Sequence, residues 1–450
     1  MSSTGARVRL KPAQSVALAF LGALAVGTIL LLLPISRAGG GAVPFIDAFF
    51  TATSSITVTG LSVVDTATFW SPFGQAVILV LVQLGGLGVM TFTAILVLIV
   101  GGRLGFRRRA AAQAEQGILA PGEVKSIVIG VAILTLIIEA VIALVLFLRF
   151  LTLGSGIGES LWYGVFHAVT AFNNAGFALF SDSFMGFQGD WIILGALMVA
   201  IIAGGLGLPV WGDLIRRRRN KLHTRRHWSL HTRLTIIGTV ALLVFGIGAV
   251  LIVEWTNPGT LGPMGAGDKI LNGAFQGVSP RTAGFNSVSY SEVRPETLMI
   301  TDFLMLIGAG SVSTSGGIKV TTMLVLAIAT IASLRGDREV QLLGRSLPQS
   351  AIRQALAVTV IFTSLIAIGT LALVATSGFD LQPALFEVTS AISTTGLSTG
   401  ITPELSGASN TILIILMVLG RLGPQVLGAA LVIRERSSII KYPEERPIVG

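Results

Sequence analysis

The sequence has no cysteine, which excludes disulfides and thiolate metal sites. Charge is scarce as well. Asp, Glu, Lys and Arg make up 12% of the chain, against about 25% in a soluble globular domain. With 52% hydrophobic residues over 450 positions, that scarcity excludes an ordinary soluble domain and leaves a polytopic membrane protein. Histidine is rarer still, at four residues, too few for a multi-histidine di-iron centre. A secretory signal is not expected. The first apolar stretch, 16–33, is too long for a signal h-region and lacks a small-residue cleavage site.

What is present is a series of long apolar runs. A helix crossing a bilayer needs about 20 mostly apolar residues. Eight stretches meet that length: 14–34, 72–100, 125–150, 190–214, 233–254, 297–334, 351–376 and 408–433. The sixth is long and Gly-rich in its middle, so a break is expected there. Basic residues gather on alternate sides of these spans. Arg7, Arg9 and Lys11 precede the first, and Arg103, Arg107, Arg108, Arg109 and Lys125 follow the second. The loop after the fourth is the most basic, with "RRRRNK" at 216–221 followed by Arg225, Arg226 and Arg233. Arg335, Arg338, Arg345 and Arg353 follow the sixth, and Arg434, Arg436, Lys441 and Arg446 the eighth. The opposite loops hold only Arg37, Lys269, Arg281 and Arg294, with Arg149 at a span edge. The positive-inside rule therefore places both termini in the cytoplasm, in a multi-pass plasma-membrane protein. The net charge of +9 sets topology first and attracts anionic membrane lipid second. No nucleic-acid role is implied.

The outward loops share a plan. Each opens with a half-length run: "FIDAFFTATSSI" (45–56), "ESLWYGVFHAVTAF" (159–172), "DKILNGAFQGVS" (268–279) and "QPALFEVTSAIS" (382–393). About 12 helical residues rise about 18 Å, which reaches halfway through the hydrocarbon. Each run ends in a related motif: "TVTGL" (57–61), "NNAGF" (173–177), "RTAGF" (281–285) and "STTGL" (393–397). Gly60, Gly176, Gly284 and Gly396 are 116, 108 and 112 residues apart, the near-constant spacing of internal repeats. The expected fold is an all-α membrane protein of four tandem helix–re-entrant pore loop–helix repeats. Its eight transmembrane spans would surround a pseudo-fourfold pore. The repeats fall at 14–100, 123–215, 232–335 and 350–433, between a cytoplasmic N-terminus (1–13) and a cytoplasmic C-terminal tail (434–450).

Irregular backbone at membrane depth is tolerated only in a protein-lined or water-filled cavity. Four re-entrant strands meeting on one axis would make such a cavity. Glycine opens dihedrals that let successive carbonyls turn to the axis. Rings of carbonyls replace the hydration shell of a cation. Four half-helix C-termini add negative dipole ends. The expected potassium filter is Thr57, Val58, Thr59, Gly60, Asn173, Asn174, Ala175, Gly176, Arg281, Thr282, Ala283, Gly284, Ser393, Thr394, Thr395 and Gly396, binding through backbone oxygens.

These loops, with "GGLGVMTF" (85–92), "GAGSVSTSGGIK" (308–319) and "GRLGP" (420–424), resemble the Ktr/Trk/HKT superfamily of potassium transporters. The likeness covers 12–433 and is nearest the shorter, KtrB-type membrane subunit. It implies uptake of potassium ion and no enzymatic activity. Sodium-selective relatives carry Ser for the glycine of the first loop, so Gly60 points to potassium. One glycine per loop, where tetrameric potassium channels have two, implies looser selectivity with some sodium passage. The resemblance also implies that the segment around Gly310, Ser311, Ser313, Thr314, Gly316 and Gly317 is an intramembrane gate, the alternative being a Gly-packed kink. It places Arg421 near that gate, restricting flow, while a plain capping role for loop carbonyls is compatible. Lys319 invites the same two readings. Nucleotide (ATP, ADP or NAD) would act only through a cytosolic RCK-type regulatory ring, docking at basic loops 103–109, 216–226 and 335–353. The resemblance further implies a homodimer, with the tail 435–450 helping to hold it.

Other residues admit two readings each. Glu139, mid-span, is an ion relay or a hydrogen-bonded packing residue. Asn173 and Asn174 offer side-chain oxygens to the pore or brace neighbouring loops, and His167 reads as a packing residue. His223, His227 and His231, at i, i+4, i+8, have the spacing of a zinc site or a membrane metalloenzyme, but their basic surroundings repel a dication. The nearer alternative is a symporter coupling potassium to sodium or protons. "GGLGVM" and "GAGSVS" lie inside spans, so they are not dinucleotide fingerprints.

Overall fold

The computed structural model describes residues 12–102, 121–219, 228–337 and 339–433. Within them the chain is predominantly helical. The first unit holds α1 (Pro12–Leu32), α2 (Phe45–Thr57) and α3 (Pro72–Gly102). The second holds α4 (Pro121–Thr152), α5 (Ile157–Asn173), α6 (Trp191–Gly205) and α7 (Leu208–Arg219). The third holds α8 (Leu230–Glu254), α9 (Ala266–Val278), α10 (Pro295–Leu306) and α11 (Val320–Arg335). The fourth holds α12 (Gln349–Ser377), α13 (Leu381–Ser393) and α14 (Gly407–Ile433). A two-stranded hairpin, β1 (Gln341–Leu342) and β2 (Arg345–Ser346), joins the last two units.

Local chemistry sets the helix ends. Pro295 opens α10 in the first turn, where its missing N–H costs nothing. The Asp190 carboxylate caps α6 by accepting from the N–H groups of Ile192 and Ile193. Gly336 and Gly378 close α11 and α12 in the left-handed conformation.

The burial pattern is that of a protein solvated by lipid. Leu18, Leu21, Val26 and Ile29 of α1 and Leu136, Val141, Leu144 and Leu148 of α4 face outward. Thr51, Thr53, Ser54, Ser55 and Thr57 of the short helix α2 are instead buried. Among the described residues, Ala132–Thr152, Leu230–Glu254 and Gln349–Ser377 are long and apolar enough to cross a membrane.

Two second helices are broken. The gap between α10 and α11 falls in the Gly-rich stretch where the sequence predicts it. The other break corrects the reading of 190–214 as one span: α6 and the first part of α7, Leu208–Ile215, meet at 93°. Gly207 takes φ +85°, and a Cβ there would run into the Ser311 carbonyl. The Leu208 N–H leaves its own helix and donates to Val312 O (2.9 Å).

The units close on one another. α14 packs on α2, α3 on α5, α6 on α9, and α10 on α13. Each unit's second helix thus supports a short helix of the next unit, and the fourth returns to the first. This circular packing aims the C-terminal ends of α2, α5, α9 and α13 at one central region.

Candidate functional site

Each short helix leads into a loop with one non-glycine residue in the left-handed region, directly at the cap in three units and four residues past the end of α9 in the third. Val58, Asn174, Thr282 and Thr394 have φ of 59°, 59°, 69° and 49°. In three units the successor turns back on the helix: Thr59 N donates to Ser54 O (2.8 Å), Ala175 N to Thr170 O (2.8 Å) and Thr395 N to Ser390 O (2.9 Å); in the third, where α9 has already ended at Val278, Ala283 N donates to Ser279 O (2.9 Å). Gly60, Gly176, Gly284 and Gly396 then return to positive φ, at 94°, 65°, 79° and 93°. Positive φ at the β-branched Val58, Thr282 and Thr394 costs about 1–3 kcal/mol each and persists only where the surroundings impose it. In the first and fourth units the Ser54 and Ser390 hydroxyls accept from Gly60 N and Gly396 N, both at 3.0 Å.

The glycines form a closed ring. A Cβ on Gly60 would stand 2.8 Å from the Gly176 Cα, on Gly176 3.1 Å from Gly284 Cα, on Gly284 3.1 Å from Gly396 Cα, and on Gly396 3.1 Å from Gly60 Cα. Carbonyl oxygens fill the same gaps: Ala175 O against Gly60, Ala283 O against Gly176, Thr395 O against Gly284 and Thr59 O against Gly396. All sixteen residues expected at the filter therefore lie in the four loops that meet here. Their side chains diverge. Thr57 and Thr59 hydroxyls bond each other (2.7 Å), while those of Thr282, Ser393, Thr394 and Thr395 are buried without a protein partner among the described residues. Asn173 turns to Gln83 (2.7 Å), Glu139 (3.2 Å) and Val169 O (2.9 Å), which is the bracing arrangement. The Asn174 amide lies against Ala171 O and Ile201 O, braced in the same way. Arg281 also turns away, toward Thr239 O (3.2 Å) and Gly308 O (3.4 Å).

The segment 308–317 lies against the ends of α5 and α13. Thr314 Oγ1 donates to Phe172 O (3.3 Å), and Gly316 abuts the Ser393 carbonyl and Thr394 hydroxyl so closely that a Cβ has no room. Gly310 N donates to Gly205 O (2.8 Å). The Ser313 hydroxyl donates to Gly310 O (2.7 Å), and Ser311 and Thr321 hydroxyls meet at 2.9 Å. Arg421, buried, donates to Thr314 O (2.5 Å) and Gly85 O (3.2 Å), and Lys319 to Ser315 O (2.5 Å) and Gly316 O (3.1 Å). So every residue expected at the gate is in this one cluster. Among the described residues no carboxylate pairs with Arg281, Lys319 or Arg421, which hold backbone oxygens instead.

Sequence reading gave no packing role to a further set of glycines, two of which open motifs already quoted. Gly85, Gly204 and Gly420 leave no room for a Cβ because the carbonyls of Ile56, Phe172 and Ile392 press on them. The signal was available: "GGLG" occurs at 85–88 and again at 204–207, in step with "GAGS" (308–311) and "GRLG" (420–423).

Glu139 and His167 make packing contacts. Glu139 accepts from Gln83 (3.2 Å) and Asn173 (3.2 Å), packing α4 against α3 and α5. His167 is buried among Phe150, Phe180 and Phe184, bonded to Tyr163 O (2.8 Å) and Leu179 N (3.0 Å). His231 lies at the start of α8, while His223 and His227 lie outside the described residues. Outside them too are the termini 1–11 and 434–450, the loop 103–109 and residues 220–226 of the most basic loop.

The family model described as "TrkH: Cation transport protein" matches residues 8–437. The chain is 40% identical over 443 residues to the Ktr system potassium uptake protein B of Bacillus subtilis, covering 98% of each. It is 38% identical to the Vibrio alginolyticus protein of the same name, over 96% of this chain and 94% of that one. It is 34% identical to the potassium/sodium uptake protein NtpJ of Enterococcus hirae, over 99% of this chain and 98% of that one. The crystal structure of the potassium transporter TrkH from Vibrio parahaemolyticus superposes with a TM-score of 0.73 at 19% identity. That match covers 95% of this chain and 86% of that one, and shows the same fold. The chain belongs to the TrkH family of cation transport proteins.

Proposed function

We propose that the ring of Gly60, Gly176, Gly284 and Gly396 is the potassium filter of a plasma-membrane uptake pore, and that this chain is the pore subunit of a Ktr-type system. The observation that carries this reading is the circular approach of the four glycines, with the carbonyls of Thr59, Ala175, Ala283 and Thr395 at the junctions. Backbone oxygens are the ligands that replace a cation's hydration shell. The C-terminal dipole ends of α2, α5, α9 and α13 lower the energy of a cation at their focus. Unpartnered hydroxyls of Thr282, Ser393, Thr394 and Thr395 add hydration capacity around it. Each unit contributes two membrane crossings, eight in all, with both termini cytoplasmic.

The segment 308–317 is the gate. It rests on Phe172 and Ser393, where two short helices end, and the positive-inside reading of the loops puts it on the cytoplasmic side of the ring. Arg421 and Lys319 hold its carbonyls and set positive charge beside the ion path. A cytosolic nucleotide-binding partner of RCK type acts on the gate from the cytoplasmic loops, and two copies of the chain associate as a homodimer, each with its own pore. The second reading, tight coupling to sodium, draws on the potassium/sodium name of the Enterococcus relative.

Purified protein in planar bilayers separates the two. A pore gives currents that reverse near the potassium equilibrium potential and follow a permeability-weighted sum of the potassium and sodium gradients. A reversal potential that follows the product of two gradients contradicts the pore and establishes coupling.

A further inference from the structure

Three units tie the second helix to the end of their own short helix in one way. Gly85 meets Ile56 O, Gly204 meets Phe172 O, and Gly420 meets Ile392 O. The third unit departs from this. The residue before its filter quartet is Pro280, and Gly308, in register with the other three glycines, faces Gly316 of its own segment. What joins the third filter loop to the segment is a side chain. Arg281 Nη2 donates to Gly308 O at 3.4 Å and Nη1 to Thr239 O of α8 at 3.2 Å.

Two features distinguish this joint. Arg281 is 4% exposed, its guanidinium has no carboxylate partner among the described residues, and its Nε has no acceptor. The Thr239 hydroxyl is also unpartnered, and both residues line a cavity with Ile201, Gly205, Leu243 and Val278. A glycine pressed on a carbonyl separates only if a helix moves. A side-chain hydrogen bond of 3.4 Å parts by rotation of Arg281 alone, with no helix moved.

This inference rests on the filter reading. We propose that Arg281 is a positioning residue that latches the third filter loop to the start of the gate, and that the Gly308 carbonyl is released when the gate leaves the ion path. The latch favours the closed position, because opening takes an acceptor from a buried cation that has few.

The test uses the full chain in liposomes, with potassium and sodium fluxes measured separately. Arg281→Gln raises basal potassium flux about tenfold, the factor that one charge-assisted hydrogen bond of about 1.4 kcal/mol commands. The potassium-to-sodium flux ratio stays within about twofold of wild type, since the carbonyl ring is unchanged. Arg281→Lys keeps the charge and one donor and gives a rise of about threefold. Unchanged flux in the Gln variant overturns the latch, as does reduced flux with a collapsed ratio, which marks Arg281 as filter support only. Should the Gln variant not assemble, the Lys variant decides: a raised flux supports the latch, and wild-type flux overturns it. Failure of the two ideas is distinguishable. No potassium flux in wild type or either variant sinks the filter reading and the latch with it. A conducting wild type matched by Arg281→Gln sinks the latch alone.

Discussion

A Cβ placed on Gly284 would stand 2.9 Å from the Cα of Gly176, and it would also overlap the Thr395 carbonyl. Loops from the second, third and fourth units are thus in van der Waals contact at one residue. A change there alters the width of the whole ring.

Gly284→Ala is therefore expected to cut potassium flux and discrimination together. The methyl group must displace the Thr395 oxygen, and φ of 79° is unfavourable for alanine by about 1 kcal/mol or more. Parallel potassium and sodium fluxes in liposomes check this. Wild-type fluxes for both ions would contradict it.

Arg421→Gln is expected to raise basal potassium flux, by about tenfold for the loss of one strong charge-assisted bond to Thr314 O. Removing a cation from the ion path acts in the same direction. A flux equal to wild type, in protein that elutes as wild type, would assign Arg421 to capping alone.

Much of this site was legible in the sequence because the code is repeated. The half-length runs and the glycines at 60, 176, 284 and 396 recur in register, so each copy supported the others. The break in 297–334 was legible from its glycines. The break at Gly207 was not, because "GGLG" at 204–207 is identical to 85–88, where α3 runs on unbroken. What differs is tertiary: Gly310 N and Val312 O compete for the backbone of the second unit's helix. Side-chain directions were equally hidden. Asn173 and Arg281 occupy matching positions in their loops, yet one braces α3 and α4 and the other reaches the Gly308 carbonyl.

Gly207→Ala tests that tertiary junction. The added methyl meets the Ser311 carbonyl at a backbone position disfavoured for alanine, so the segment 308–317 must shift. Potassium flux is expected to change severalfold while the potassium-to-sodium ratio holds, because Gly207 does not touch the glycine ring. A collapsed ratio would contradict separate gate and filter.

Glu139→Leu is expected to destabilise the protein, by about 1–3 kcal/mol for buried donors on Gln83 and Asn173 left without the carboxylate. Glu139→Gln keeps an acceptor oxygen and should lose less. Thermal unfolding in detergent orders the three proteins. Loss of transport in Glu139→Gln with wild-type stability would instead make Glu139 an ion relay.

The most direct test of the central claim is the potassium-to-sodium flux ratio of wild type beside Gly60→Ser, in the same liposomes. The account predicts a wild type that prefers potassium and a Ser variant that loses the preference, because its side chain enters the gap held by Ala175 O and Gly176. Robust flux with an unchanged ratio in Gly60→Ser would show that the ring does not set selectivity, and the account would fall.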